Sequence, residues 1–216
     1  MALGAIKHVL ITGFQPFGTP RPADNRSWEA AKQLAGERMA VGDSAVVECH
    51  CVELPVSYSD VAQQMQQLHK DRRYSIAVHC GAGVAGVVRL EQRAHRSGYT
   101  RPGNKGAADL PPGGQVPGYD LADELWTAVD VDAVRRDLVG RGWSAARTNS
   151  DAGRYVCEFT YYCALAEAAA YEAGAAPRTL FVHVPPQEGD PYSDAQLAEL
   201  IRDVIRTVAR LEGSGS

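Results

Sequence analysis

The chain contains no apolar run that approaches the roughly 20 residues required for a membrane-spanning helix. Its N-terminal stretch has a lysine followed by a short apolar run at residues 9–11. This run is too short for the apolar region of a signal peptide, and no cleavage site follows it. These absences predict a cytoplasmic protein that has no membrane partner.

The chain also lacks an excess of positive charge. It has 22 lysine and arginine residues against 26 acidic ones, a formal net charge of −4 and a pI of about 5.9. A nucleic-acid-binding protein usually presents a basic face, so we predict no nucleic-acid partner. The densest arginine region, residues 89–101, is broken by glycine and glutamate, and we expect it to form a solvated loop with local ion pairs.

Cysteine is too scarce and too irregular for a disulfide framework. The five cysteines are an odd number, which favours reduced thiols. Cys49 and Cys51 alternate along an expected strand, and the intervening His50 would point to the opposite face. With no further ligand at a suitable spacing, we predict no metal site and interpret Cys49, Cys51, Cys80 and Cys163 as packing residues.

Apolar segments alternate with amphipathic ones along the chain. Strands are predicted over residues 6–12, 45–52, 75–79, 144–149 and 179–184, and helices over 27–37, 59–70, 131–139, 158–173 and 194–211. This alternation is typical of an α/β fold whose sheet is covered on both faces. We predict a single-domain three-layer α/β/α sandwich with a mostly parallel mixed sheet, spanning residues 1–211, and a flexible tail at residues 212–216.

Residues 99–119 interrupt this pattern. The segment contains many of the glycines and prolines, including the run PPGG at residues 111–114. It is too long for an ordinary connection in a compact domain. It forms either an excursion near the active site or a mobile surface insertion, and the sequence leaves both alternatives open.

Cys157 is the strongest candidate nucleophile. It lies in the run SDAGRYVC at residues 150–157, at the expected start of the helix over 158–173, for which Gly174 is a plausible stop. The N-terminus of a helix presents unpaired N–H groups and a partial positive charge, and both favour a thiolate. Cys163 lies well inside the same helix and lacks this activating field.

His183 is the best candidate for the base that a catalytic cysteine requires. It lies at the end of the last predicted strand, immediately before the pair Pro185 and Pro186. Ligand-binding and catalytic groups of α/β sheets gather at the carboxyl ends of strands. An isolated histidine in such a strand is more often a core residue, but a cysteine at a helix N-terminus in the same fold favours the catalytic interpretation.

The sequence also contains a literal G-x-G-x-x-G at residues 81–86, so a nucleotide site must be considered. That fingerprint should open a helix and be followed by an acidic residue about 20 positions later. Here the following segment is polar and broken by glycine, and Asp109 lies in the glycine- and proline-rich segment. We interpret the glycines as a loop whose backbone can approach a small ligand.

Five short motifs occur in an order that resembles one family. They are TGFQPFG at residues 12–18, NRSW at 25–28, the glycine loop 81–83 leading to Glu91, DAGRYVC at 151–157 and FVHVPP at 181–186. Together they resemble pyroglutamyl-peptidase I, the pyrrolidone-carboxylate peptidase family, over essentially the whole domain. The motif around Cys157 is highly specific, and its spelling is closer to the animal-type branch than to the bacterial one.

The resemblance implies a cysteine peptidase that removes an N-terminal pyroglutamyl residue from peptides and needs no metal or cofactor. It implies that Cys157 is the nucleophile, His183 the acid and base, and Glu91 the third member of a triad. From the residues alone, Glu91 would be an ordinary surface glutamate paired with Arg89 and Arg93.

The resemblance also implies a substrate pocket. Phe14 and Phe17 match aromatic pocket positions of the family, and Tyr155 and Val156 match the pocket wall beside the nucleophile. Animal-type members favour a monomer, and bacterial members favour a tetramer.

Two residues depart from the bacterial pattern. Ala82 and Glu158 stand where bacterial relatives often have glutamine and asparagine, so a contact to the substrate lactam must come from elsewhere. Two rival interpretations stay open at this point: a nucleoside phosphorylase-like or nucleotide-binding α/β protein that uses residues 81–86, and a non-catalytic α/β module that retains the pocket.

Overall fold

The structure is a computed structural model that describes residues 6–41, 45–71, 73–172, 175–186 and 192–213. The strands are β1 (Lys7–Phe14), β2 (Arg38–Val41), β3 (Ala45–Leu54), β4 (Ile76–Ala82), β5 (Val88–Glu91), β6 (Arg93–His95), β7 (Glu124–Trp126), β8 (Ala146–Asn149) and β9 (Arg178–Val184). The helices are α1 (Arg26–Ala31), α2 (Tyr58–Asp71), α3 (Val131–Gly140), α4 (Val156–Ala169) and α5 (Asp194–Gly213), with short 3₁₀ turns at Lys32–Leu34, Ala107–Asp109 and Pro112–Gly114.

Seven of these strands form one sheet in the order β2-β3-β1-β4-β9-β5-β8. The pairs β1–β3, β1–β4, β4–β9 and β5–β8 are parallel. The pairs β2–β3 and β5–β9 are antiparallel. The sheet is therefore mixed and mostly parallel, as the sequence predicts.

Helices cover both faces of this sheet. Successive side chains of a strand point to opposite faces, so Val9 and Ile11 of β1 enter one core cluster while Leu10 enters another. Helices α1, α3 and α5 pack on the first face, and α2 and α4 pack on the second. Burial on both faces explains why β1 and β4 are continuous apolar runs, and it confirms the predicted three-layer architecture.

Helix α4 passes through the centre of the second layer. Eleven of its 14 residues are buried, including Phe159, Tyr161 and Tyr162. A helix that is apolar on nearly all sides must be covered all round. The predicted end of this helix was too late, because α4 ends at Ala169; residues 173 and 174, where the predicted stop falls, lie outside the described residues.

Helix α5 closes the first layer through a regular apolar stripe. Leu197, Leu200, Ile201, Val204 and Val208 are buried at the three- and four-residue spacing of one helix face. This helix continues to Gly213, two residues into the predicted tail, and residues 214–216 lie outside the described part of the chain. Across the described ranges, no helix combines the length and the apolar character needed to cross a bilayer.

The structure of residues 89–101 differs from the expectation drawn from the sequence. Residues 89–101 are not a solvated loop, because they contain the end of β5 and all of β6. Val88 and Leu90 are fully buried in the core, and Glu91 is fully buried as well. The strands escape a pattern search because they are only four and three residues long and carry arginines among their apolar residues.

The glycine- and proline-rich residues 99–119 are anchored to the second layer. Tyr99 is buried, and the Tyr58 hydroxyl at the start of α2 donates to the Arg101 carbonyl at 2.8 Å. Asp109 accepts hydrogen bonds from the backbone N–H groups of Tyr58 and Ser59 at 2.7 and 3.2 Å. This carboxylate therefore caps α2, which favours an excursion packed on the domain over a mobile insertion.

The packing of α1 on β1 generates a test of the fold. A Cβ on Gly13 would lie 2.5 Å from the Trp28 Cα and 2.6 Å from its backbone nitrogen, so α1 or β1 would have to move. We expect Gly13→Ala to lower the free energy of unfolding by at least about 2 kcal/mol, measured by urea denaturation.

Gly140→Ala is the matched control for this substitution. A Cβ at this exposed last residue of α3 meets nothing within 4 Å, so its effect should stay within about 1 kcal/mol. Equal losses for the two variants would contradict the packing constraint at Gly13.

Candidate active site

The carboxyl ends of β1, β4 and β9 meet at one edge of the sheet. Phe14 ends β1, Ala82 ends β4, and His183 lies one residue before the end of β9. The parallel register places Gly81 beside His183. This is the edge at which α/β sheets bind ligands.

Cys157 approaches this edge as the second residue of α4. The first i to i−4 hydrogen bond of the helix runs from the Phe159 N–H to the Tyr155 carbonyl. The N–H groups of Val156, Cys157 and Glu158 precede that bond and lie at the positive end of the helix dipole. The predicted position of the thiol at the start of this helix is therefore confirmed.

His183 links the thiol to a buried carboxylate. Its Nδ1–H donates to Glu91 Oε1 at 2.8 Å, and Cys157 interacts with the same ring. Burial alone would lower the pKa of this imidazole, but the hydrogen bonds to Cys157 and Glu91 and their charges raise it to about 9. The ring is therefore held in its cationic form at neutral pH, beside a thiol at a helix N-terminus.

Glu91 is not the surface ion-paired residue that its arginine neighbours indicate. It is fully buried, and each carboxylate oxygen has a partner. Oε1 accepts from His183, and Oε2 accepts from the Asn149 side chain at 2.7 Å. The parallel register of β5 and β8 pairs Glu91 with Asn149, so two strands bring the imidazole and the amide to one carboxylate. Sequence reasoning missed Asn149 entirely.

The two glycines of the loop at 81–83 have a steric explanation. A Cβ on Gly81 would lie 2.8 Å from the Cys157 sulfur and 2.9 Å from the Phe181 ring. A Cβ on Gly83 would lie 2.8 Å from the His183 Cβ. Glycine at both positions allows the thiol and the imidazole to approach the backbone of β4 and the loop after it.

The nucleotide interpretation of residues 81–86 does not fit this geometry. The loop leads into β5 and not into a helix. Asp109, the acidic residue that could have followed such a motif, caps α2 instead of facing the loop. The arrangement lacks the helix N-terminus that binds a pyrophosphate in this fingerprint.

A small, largely apolar pocket opens beside Cys157. It is lined by Phe14, Phe17, Asn25, Val56, Ala82, Tyr155, Val156 and Cys157. All four residues that the sequence predicts for the substrate pocket therefore lie around one cavity. The Phe17 and Tyr155 rings form one corner, with centroids 5.9 Å apart. Asn25 also caps α1 through its side chain, which accepts from the Ser27 N–H.

Residues 99–119 contact residues that line or flank this pocket. The Arg101 guanidinium lies over the Tyr155 ring, 4.7 Å from its centroid, and donates to the Gly153 carbonyl at 2.9 Å. The Asn104 side chain donates to the Pro16 carbonyl at 3.0 Å. The segment thus contacts the loops on both sides of the pocket.

The other four cysteines are placed where thiolates are disfavoured. Burial raises the pKa of Cys49 and Cys51 to about 12 and also raises that of Cys80 and Cys163. Cys163 lies in the middle of α4 and is fully buried. All five cysteines are free, so Cys157 differs from the others by its position at the start of a helix and beside the pocket.

Glu158 is a second buried carboxylate that the sequence identified only as a departure from a pattern. Oε2 accepts the Arg154 backbone N–H at 2.5 Å, and Oε1 accepts the His95 backbone N–H at 3.0 Å and its Nδ1–H at 2.5 Å. Arg154 has a φ of 51°, a left-handed conformation that is unfavourable for a non-glycine residue. Glu158 therefore holds the strained turn that precedes Cys157. A charged residue among the apolar and aromatic residues of the first two turns of α4 was the signal that could have revealed it.

The described residues also bring metal-ligating side chains together outside the pocket. One group of histidine and carboxylate side chains has suitable spacing, namely His8, Glu48 and His50. These residues lie near the amino end of β1 and in β3, away from the pocket.

Known proteins resemble the chain over most of its length. A family model described as pyroglutamyl peptidase matches residues 7–190. Pyroglutamyl-peptidase 1 of Rattus norvegicus is 37% identical over 201 residues, which cover 92% of this chain and 88% of the rat protein. Pyrrolidone-carboxylate peptidase of Cupriavidus pinatubonensis is 28% identical over 210 residues, which cover 94% and 92%. The higher identity to the mammalian protein agrees with the animal-type spelling of the cysteine motif.

The fold has solved counterparts as well. The crystal structure of pyroglutamyl peptidase I from Bacillus amyloliquefaciens superposes with a TM-score of 0.78 at 23% identity. The match covers 95% of this chain and 96% of that chain. This likeness confirms the predicted α/β architecture over nearly the whole chain.

The contacts of Glu158 generate a stability prediction. Glu158→Ala leaves the backbone N–H groups of Arg154 and His95 without their carboxylate. We expect a loss of about 3–5 kcal/mol in the free energy of unfolding, measured by urea denaturation, because removing one partner of a buried charged cluster strands the others.

Glu172→Ala is the control, since that glutamate is exposed. Its effect should stay within about 0.5 kcal/mol. If the two substitutions cost the same, the Glu158 cluster would not stabilise the turn.

Proposed function

The chain belongs to the pyroglutamyl peptidase family and is a peptidase of that class, and we propose that it releases an N-terminal pyroglutamyl residue from peptides through Cys157, His183 and Glu91. The observation that carries this proposal is the buried His183–Glu91 hydrogen bond, whose imidazole also interacts with Cys157, a residue that lines the pocket. A nucleophile, a base and a group that orients the base are the elements of covalent acyl transfer.

The reaction begins with attack by the Cys157 thiolate on the pyroglutamyl carbonyl carbon. A carbon–sulfur bond forms, and the carbonyl π electrons move to oxygen as a tetrahedral oxyanion. The N–H groups at the start of α4, including that of Cys157, point toward the developing negative charge. Stabilisation by these fixed dipoles requires no reorganisation during the reaction.

His183 then acts as a general acid. Its Nε2 proton passes to the leaving amine as the carbon–nitrogen bond breaks, and a thioester remains on Cys157. The neutral imidazole next takes a proton from a water molecule that attacks the thioester, and pyroglutamate leaves. Glu91 holds Nδ1 throughout and stabilises the cationic ring.

Substrate selection follows from the chemistry of the pocket. Pyroglutamate is a small uncharged lactam, so walls formed by Phe14, Phe17, Tyr155 and Val156 suit its ring without a cationic clamp. Ala82 brings no side-chain amide to the lactam, and we assign that recognition to backbone groups around the pocket.

The proposal also covers the cellular location, the partners and the oligomeric state of the enzyme. The five free thiols and the acidic net charge support a cytoplasmic protein without a nucleic-acid partner. We propose that it acts as a monomer on peptide substrates, with a tetramer as the alternative.

Cys157→Ala tests the nucleophile. We expect kcat/KM for a fluorogenic pyroglutamyl amide to fall at least about 1,000-fold, because no other group can form the thioester. The circular dichroism spectrum and thermal unfolding midpoint should remain close to those of the parent.

Cys163→Ala is the matched control in the same helix. That thiol is buried away from the pocket, so the variant should retain kcat/KM within about threefold. Parent-like turnover in Cys157→Ala, or selective loss in a folded Cys163→Ala, would reject the assignment.

Glu91→Gln tests the electrostatic role of the third residue through the pH profile. The raised pKa of His183 keeps its cation present through neutral pH, and the cation is lost as the pH rises through about 9. Glu91 is one cause of that elevation, so its neutralisation should move the alkaline limb of kcat/KM to lower pH. The rate loss should be smaller than that of Cys157→Ala.

Glu199→Gln, an exposed substitution on α5, is the control and should leave the limb in place. An alkaline limb that stays in place in a folded Glu91→Gln variant would show that Glu91 does not set the charge of His183.

A further inference from the structure

Three potential metal ligands meet at the end of the sheet opposite the pocket. His8 lies near the start of β1, and the parallel register pairs it with Glu48 of β3. His50 follows two residues later on β3, so its side chain leaves the same face of the sheet as that of Glu48. From His8 to Phe14 at the pocket edge, six residues of strand span about 20 Å. This cluster is therefore separate from the catalytic edge.

The donor atoms of the three side chains converge on one point. His8 Nδ1 lies 3.0 Å from His50 Nε2, and His50 Nε2 lies 3.6 Å from Glu48 Oε1. One ligand atom from each residue lies within 4.8 Å of the other two. Zinc–nitrogen and zinc–oxygen bonds of 2.0–2.2 Å in a tetrahedron place neighbouring ligands about 3.3–3.6 Å apart. The spacing fits a single zinc-sized ion with small adjustments.

Arg38 fixes the orientation of the carboxylate. Its Nε and Nη2 groups donate to Glu48 Oε2 at 2.8 and 2.7 Å, while Oε1 faces His50. An outer-shell partner that holds one oxygen and leaves the other directed at the ion is typical of metal-ligating carboxylates.

We propose that His8, Glu48 and His50 form a zinc-binding site that ties the start of β1 to β3. Two imidazoles and one carboxylate suit zinc and related transition ions, whereas magnesium and calcium prefer oxygen ligands alone. The three side chains are partly exposed, which leaves the fourth coordination position to water. The prediction of no metal considered only the Cys49 and Cys51 region and could not include His8, which lies 42 positions before His50.

The same geometry has a simpler alternative. Two neutral imidazoles 3.0 Å apart can share one proton as a hydrogen bond, with Glu48 as a nearby acceptor. This arrangement would hold the strands together without an ion. Metal binding distinguishes the two cases, because zinc replaces that proton and releases it on binding.

The experiment uses the full chain with Cys157→Ala, because a paired cysteine and histidine can themselves bind zinc. Zinc is titrated against a competing chelator and followed by calorimetry. We expect one equivalent to bind, and to raise the thermal unfolding midpoint. Adding His50→Ala or Glu48→Gln should weaken affinity at least about tenfold and abolish that shift.

Glu53→Gln is the matched control, since Glu53 lies on the same strand but outside the cluster. It should leave zinc affinity unchanged. Substitution of cobalt for zinc adds a spectroscopic readout: visible ligand-field bands of a four-coordinate ion without the near-ultraviolet charge-transfer band of a thiolate.

Several results would overturn the proposal. They are the absence of stoichiometric binding, binding that persists in both folded His50→Ala and Glu48→Gln variants, and a cobalt spectrum with thiolate charge transfer. Peptidase activity is measured separately on the chain that retains Cys157. We expect His50→Ala to keep it, so failure of the zinc site and failure of the proposed function are distinguishable.

Discussion

The hydrogen bond between His183 Nδ1 and Glu91 Oε1 is the interaction on which the candidate site depends. A fully buried carboxylate is costly unless both oxygens are satisfied, and Glu91 meets this condition through His183 and Asn149. These partners come from β9 and β8, the two strands that flank β5. The order of the sheet therefore brings both partners of the carboxylate together, and one of them is the imidazole whose pKa the carboxylate raises.

Close backbone approach is the second constraint, and it connects the imidazole to the thiol. Gly81 lies on β4 between the ring of Phe181 and the sulfur of Cys157, with no room for a side chain. A Cβ on Gly83 would likewise clash with the Cβ of His183. Residues that resemble a nucleotide fingerprint thus serve a packing requirement: α4 can lie close to the sheet edge only where the strand beneath it has no Cβ.

The fold was predictable from the sequence wherever a buried segment is long enough to show a regular pattern of apolar residues. Continuous apolar runs and amphipathic helices revealed five of the strands and all five helices, and the placement of Cys157 and His183 followed from helix and strand ends. The role of Glu91 came from family resemblance, since its burial depends on partners 58 and 92 positions away. Glu158 and its partner His95 are separated by 63 positions. No local pattern records such pairings, so short charged strands and buried carboxylates were the features that the sequence alone did not reveal.

Two buried carboxylates lie near Cys157, and the hydrogen-bond partners of each carboxylate account for its negative charge. The charge of Glu91 is directed at His183. Glu158 follows Cys157 directly, yet its oxygens are occupied by Arg154 and His95. An acidic residue in the first turn of a helix is also favoured by the helix dipole. These contacts therefore reduce the repulsion between the Glu158 carboxylate and any negative charge on the Cys157 sulfur. The same contacts hold Arg154 in a left-handed conformation that costs on the order of 1–2 kcal/mol. One side chain therefore holds both the turn that places Tyr155 at the pocket and the first turn of the helix that carries Cys157, so the shape of the pocket and the position of the thiol depend on the same contacts.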